Sequence, residues 1–187
     1  MRAEDRRELV LEAATIVFGE RGYVGATTDA VAKAAGVSQP YVVRMFGTKE
    51  ALFLAVLERA LDRLLDAFEI VLDEGGDIDE VRNRLGVAYG ELLSDRGLLL
   101  CLMHAFVLGS DPAIGPAARR GFLRVYALLR ERAGLSIDEA REFLGQGMLL
   151  NTLIGLRMAA EDAPEAAELV DSVAPTKADL VRRLARS

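Results

Sequence analysis

Apolar residues recur at helical spacing along almost the whole chain, and the alternation expected of half-buried strands is weak. Ala, Leu, Glu and Arg dominate, and all four favour helix. This confines the chain to all-α folds, so the informative positions are those where helices stop. Gly22 ends a first helix over about 4–20. Thr27 or Thr28 caps a short helix running to Ala35, with Asp29 in its first turn, where the dipole favours an anion. After Gly36, Ser38 caps a third short helix that ends near Phe46-Gly47, and Pro40 sits in its first turn, where a missing N–H does no harm. Thr48 opens a long helix that stops at Gly75-Gly76. Further helices are expected over about 79–93, 97–108, 114–132 and 137–161, and the tail from Pro164 has helical stretches on both sides of Pro175. Punctuation is densest between Gly22 and Gly47. A small N-terminal module over 1–47 is therefore expected ahead of a larger helical body over 48–187.

Composition excludes several functions. A chain of 187 residues that is 51% apolar is long enough for a core and too apolar for disorder. Cys101 is the single cysteine, so no intramolecular disulfide forms and a reducing compartment is expected. His104 is the single histidine, so a Ser-His-Asp or Cys-His mechanism would have to run through it, inside the most apolar run of the chain. Cys101-x-x-His104 has no further Cys or His to complete a metal site. No phosphate-cradling glycine loop appears, and neither enzyme activity nor a metal or cofactor is expected. The apolar run 98–108 is too short to span a bilayer, and the first ten residues mix charges of both signs. A soluble cytoplasmic protein without a membrane partner is expected.

The segment 27–46 has helix-turn-helix spacing. Gly36 suits a turn position with positive φ, and Ala32 and Ala35 are small enough for two helices to cross closely. Val31, Val37, Val42 and Phe46 can bury the inner face. The second short helix then presents Gln39, Pro40, Tyr41, Arg44 and Met45 outward. That set is suited to reading bases: Gln pairs with adenine edges, Pro and Met touch thymine methyl groups, and Arg reaches guanine or phosphate. Lys49, in the first turn of the next helix, opposes the helix dipole at a cost of a few tenths of a kcal/mol. A nearby phosphate would reverse the sign, whereas a solvated lysine is the alternative. Arg2, Arg6 and Arg7 offer a basic arm or a flexible end.

The stretch TTDAVAKAAGVSQPYVVRMFGTKEALFLAVLE resembles the DNA-binding region of TetR-type transcriptional regulators. The resemblance rests on the Thr27-Thr28 cap, the Ala-x-x-Ala-Gly-Val-Ser turn over 32–38, Phe46 and the Thr48-Lys49-Glu50 helix start, and covers roughly residues 5–57. It implies that Thr28, Gln39, Pro40 and Tyr41 fall where the family touches DNA, and that Lys49 meets a phosphate. Three positions depart from the pattern. Val43 stands where a phosphate-binding Tyr is usual, Met45 where His or Tyr is common, and Asp29 near a position that is basic in some members.

By the same resemblance the body binds a small molecule and dimerises. The helix expected over 137–161 is apolar on more than one face. Phe143, Gly147, Leu150, Ile154 and Met158 are the candidates for a dimer interface, with Gly145, Gly147 and Gly155 permitting a close approach; a fully buried core helix is the alternative. For an effector site the candidates are the polar or adaptable residues inside apolar helices: Tyr89, Met103, His104, Phe106, Phe122, Tyr126, Met148 and Asn151.

The resulting expectation is a homodimeric regulator, a repressor, that binds a palindromic double-stranded operator and is released by a small, largely apolar effector. The rival is a helical ligand carrier or enzyme in which the helix-turn-helix is incidental. The net charge of −6 argues against nucleic acid only until it is partitioned. Residues 1–49 hold 7 basic and 6 acidic side chains, and residues 50–187 hold 16 and 23. The acidity belongs to the body, so phosphate contacts must come from placement rather than bulk charge.

Overall fold

The computed structural model describes residues 3–93, 95–173, 179, 181 and 182. These residues form an all-α chain whose helices are α1 (Ala3–Gly25), α2 (Thr28–Ala34), α3 (Gln39–Phe46), α4 (Lys49–Asp73), α5 (Ile78–Leu92), α6 (Arg96–Val107), α7 (Ile114–Ala127), α8 (Ile137–Gly155) and α9 (Pro164–Asp171). They divide into two compact units. The first draws on Met1–Asp62 and Gly97–Phe122, the second on Arg63–Arg96 and Leu123–Ser187, so α4 and α7 each contribute to both.

In the first unit the helix stops follow local chemistry. Gly22 takes φ 67° and ψ 170°, breaking the helical path inside α1. The Thr27 hydroxyl accepts a hydrogen bond from the Ala30 N–H at 3.1 Å, capping α2. Gly36, with φ 65°, turns the chain from α2 toward α3, and the Val37 N–H donates to the Ala32 carbonyl at 3.0 Å. Ser38 precedes α3 in extended conformation, but its side chain makes no capping hydrogen bond. Thr48 caps α4 by accepting from the Ala51 N–H at 3.0 Å.

One contiguous core holds these elements. It includes Leu11, Ala14 and Phe18 of α1, Val31 of α2, Val42 of α3, Leu52, Phe53 and Val56 of α4, Cys101 and Ala105 of α6, and Ile114 of α7, with Val37 and Phe46 packed against it. Phe53 meets Phe18 edge-on at 5.0 Å between ring centroids and Tyr23 at 5.1 Å. Helices α1 and α6 approach through two glycines: a Cβ on Gly19 would lie 3.0 Å from the Gly97 Cα.

The second unit uses Phe68 of α4 as an aromatic centre, edge-on to Phe143 at 6.0 Å and to Tyr89 at 6.5 Å. Asp77 caps α5, accepting from the Asp79 and Glu80 N–H groups. Ser136 and Glu139 form a reciprocal capping box at the start of α8. The Ser136 hydroxyl first, and then the Ser136 backbone N–H, stabilise the Glu139 carboxylate and hold its pKa below the ordinary value.

Two expected helices end differently. The one expected over 114–132 changes at Leu128 into a π-helical turn, Leu128–Arg132, closed by the Ala133 N–H on the Leu128 carbonyl at 3.0 Å. The one expected over 137–161 stops at Gly155: Arg157 takes a left-handed conformation (φ 53°), and a short 3-10 helix, Met158–Ala160, follows. Helix-favouring alanines occupy 159 and 160, so local propensity there is overridden. The stretch around Pro175 lies outside the described residues.

Candidate nucleic-acid interface

The candidate reading surface is built from the starts of α2 and α3 and the outer side of α3. Val31 and Val42 are fully buried, so the opposite sides of their helices face solvent. There Pro40 and Arg44 are exposed, and Thr28, Gln39, Tyr41 and Met45 are half-buried. The Gln39 Nε2 donates to the Thr28 Oγ1 at 3.3 Å, joining the first residues of the two helices. The Arg44 guanidinium lies 5.1 Å from the Tyr41 ring centroid, within cation–π range. Val43 is 37% exposed and brings no polar atom to this surface.

Lys49 is neither free nor simply solvated. Its Nζ donates to the Tyr23 carbonyl at 2.9 Å and to the Val24 carbonyl at 3.4 Å, and lies 4.7 Å from the Tyr23 ring centroid. The two carbonyls lie just past the break at Gly22, and their partial negative charge offsets the cost of a cation at the start of α4. The lysine thus ties the two helices together. An ammonium has three N–H donors, and one remains for a phosphate. Lys49→Ala is therefore expected to act twice. Stability falls by about 1–2 kcal/mol as the charge-assisted hydrogen bonds and cation–π contact are lost. The slope of log affinity against log salt falls by about one unit. Thermal melts and binding titrations at several salt concentrations separate the two; an unchanged salt slope would assign the ammonium wholly to the fold.

Of the basic arm, Arg7 stacks over the Phe46 ring at 5.4 Å. Arg2 lies outside the described residues, and Arg6 is exposed. Tyr23, beside Lys49, has its phenol pKa raised, first by burial and then by Glu50 and Asp111.

Residues 10–56 match the family model described as bacterial regulatory proteins, tetR family. The N-terminal head belongs to the TetR family. The transcriptional activator FasR of Mycolicibacterium smegmatis is 45% identical over 62 residues, which are 33% of this chain and 28% of FasR. The transcriptional repressor AcnR of Corynebacterium glutamicum is 35% identical over 79 residues, 42% of this chain and 40% of AcnR. The chain thus spans well under half the length of these curated relatives. Beyond the TetR-family head, likeness is carried by fold. A TetR-like regulator from Rhodococcus sp. RHA1 superposes with a TM-score of 0.66 at 21% identity, covering 100% of this chain and 96% of its own. The fatty acid degradation regulator FadR from Bacillus halodurans superposes with a TM-score of 0.69 at 19% identity, covering 100% and 95%.

The effector candidates separate into two groups. In the first unit, Phe106 packs edge-on against Phe122 at 5.9 Å, with Phe122 itself 39% exposed. Met103 and His104 are half-buried on α6, and the His104 ring sits against Gly22, where a Cβ would lie 3.3 Å from its Cε1. In the second unit, the Tyr89 hydroxyl donates to the Asn151 Oδ1 at 2.7 Å, and the Asn151 Nδ2 donates to the Met148 sulfur at 3.9 Å. Tyr126 is half-buried on α7. Asn151 is 2% exposed, so its amide must find partners inside, and Tyr89 supplies one.

Burial pushes the Tyr89 phenol pKa up to about 12. An unfolded tyrosine ionises near pH 10, so between about pH 10 and 12 the folded state keeps a proton that the unfolded state has lost. Stability from this group is complete below pH 10 and declines by about 1.4 kcal/mol per unit as pH rises through that window. Tyr89→Phe is expected to remove this group's share of the dependence and to cost about 1–3 kcal/mol at neutral pH, because the Asn151 oxygen is left buried without a donor. Urea unfolding at pH 9 and 11 checks both; an equal alkaline loss in both proteins would assign the dependence to other groups.

The dimer candidates on α8 meet the chain's own packing. Leu150 and Ile154 are 1% exposed, Phe143 stacks on Phe68, and a Cβ on Gly147 would lie 3.3 Å from the Tyr89 ring. Met158 is half-buried in the 3-10 helix. A different face of α8 and its C-cap is left uncovered among the described residues: Met148 (38% exposed), Leu149 (36%) and Leu156 (64%), together with Gly145 and Thr152.

Proposed function

We propose that this protein is a DNA-binding transcriptional regulator that reads a palindromic operator as a homodimer, with residues 1–47 as the reading head and 48–187 as the effector-binding and dimerising body. The observation that carries the reading is the surface of Thr28, Gln39, Pro40, Tyr41, Arg44 and Met45, presented by two short helices whose other sides hold Val31 and Val42 in the core. Side chains on so rigid a support reach base edges without a large ordering cost. Lys49 and the arginines supply placed phosphate contacts. Repression is the simplest output, since a dimer seated across a promoter blocks it by occupancy alone.

The dimer face is the exposed stripe of Met148, Leu149, Thr152 and Leu156 on α8. Those residues recur at helical spacing, and an apolar stripe on a soluble chain favours a cover. The effector is small and largely apolar, held by candidates of the second unit, with the Tyr89–Asn151 pair as its polar anchor. It releases DNA by the difference in its affinity for the bound and free arrangements.

The test is binding of purified protein to labelled random-sequence duplex DNA between 50 and 200 mM salt (about 10³–10⁵ in affinity is lost over that range for 6–10 phosphate contacts). A smaller loss is expected for this weakly basic head, with log affinity falling linearly in log salt. Absence of any salt-dependent binding to duplex DNA would end the reading.

A further inference from the structure

Thr28 and Gln39 both belong to the reading surface, but their geometry divides the work between them. Thr27 caps α2 through its own hydroxyl, so the Thr28 hydroxyl is not needed for capping. It accepts instead from the Gln39 Nε2 at 3.3 Å, across eleven positions of sequence. Both side chains are half-buried at this junction. A primary amide has two N–H donors and one carbonyl acceptor. With one N–H held by Thr28, the other N–H and the Oε1 remain. That donor–acceptor pair matches the N7 acceptor and N6–H donor that adenine presents in the major groove.

A free glutamine side chain loses rotamer entropy when it is ordered. Anchoring the amide before DNA arrives removes part of that loss from the binding step, and removes it only for the orientation that Thr28 permits. We infer that Thr28 is a positioning residue: its hydroxyl orients the Gln39 amide to read an adenine, and it governs base preference through Gln39 rather than by touching a base. The inference rests on the regulator reading above, and it assigns the chemistry read at one position of each half-site.

The experiment selects duplexes from a random 24-base-pair library with the full-length protein, then measures affinities for the enriched duplex and its single-base variants. Wild type is expected to prefer A·T at one position per half-site by about tenfold or more, the discrimination of a bidentate amide. Gln39→Ala removes that preference. Thr28→Val, close in shape but without the hydroxyl, weakens the same preference at least threefold, whereas Thr28→Ser retains it. In the Gln39→Ala background, Thr28→Val has no further effect on preference at that position. Melting temperatures of all variants identify any loss due to unfolding, and the serine variant provides the rescue. The inference is overturned if Thr28→Val lowers affinity equally for every duplex and leaves the Gln39-dependent preference intact. It is equally overturned if wild-type preference does not depend on Gln39. A wild-type protein that binds no duplex would instead bring down the regulator reading itself.

Discussion

Replacing Leu149 and Leu156 together by glutamate is expected to convert the proposed dimer into a folded monomer and to weaken binding to the proposed operator by a factor of about 10²–10⁴. Both side chains are exposed in the chain, at 36% and 64%, so glutamate costs its own unit little. At a two-fold face each substitution is doubled, and four carboxylates would be desolvated against one another. A reader on two half-sites gains from holding the second head at high effective concentration, and that gain is what a monomer forfeits. Sedimentation velocity gives the oligomeric state, and titration on the selected duplex gives the affinity. A double variant that remains dimeric would put the interface elsewhere in the body. Loss of the folded signal in circular dichroism would mean that the two leucines serve the chain's own packing.

The second large effect concerns stability. Phe53→Ala is expected to lower the free energy of unfolding by about 3–5 kcal/mol, the usual cost of deleting a fully buried phenyl ring. Phe53 is fully buried and shares edge and tilted contacts with Phe18 and Tyr23, so the cavity would open between α1 and α4. The Tyr23 ring and carbonyl also hold Lys49, which makes the loss of one ring a loss of alignment for the lysine. Against a typical total of about 5–15 kcal/mol, this is a large fraction, and DNA affinity should fall with it. Urea unfolding measures the change. A loss below about 1 kcal/mol would show that the neighbouring rings collapse into the space.

Much of the head is legible in the residues alone because its signals are local. A cap at Thr27, a positive-φ glycine at 36, a proline in the first turn of α3 and a cap at Thr48 each act within a few residues, and α2 and α3 lie within one or two residues of their expected bounds, whereas α1 runs on past Gly22 to Gly25. The burial of Val31 and Val42 follows from helical periodicity once those stops are set. Other features lacked a local signal. Lys49 reads as a solvated or phosphate-binding cation, since its carbonyl partners are contributed by residues 23 and 24 of another helix. The Gln39–Thr28 hydrogen bond is invisible for the same reason: it requires the turn at Gly36 to bring two helix starts together. In the body, α8 ends early at Gly155, and the left-handed turn that follows falls on Arg157, a residue type that does not signal one.

The amino-acid sequence by itself determined an all-α chain, the positions of its N-terminal stops, a helix-turn-helix and the acidic balance of the body, because these depend on propensity, capping and charge counted along the chain. Only the tertiary structure decided which face of each helix is spent. Helix α8 carries apolar residues on two sides, and periodicity treats them alike; the packing of Phe68 and Tyr89 against one side turns Leu150 and Ile154 inward and leaves Leu149 and Leu156 outside. The same holds for Tyr89 and Asn151, which are 62 positions apart and become one polar pair only when burial excludes water and leaves each as the other's partner.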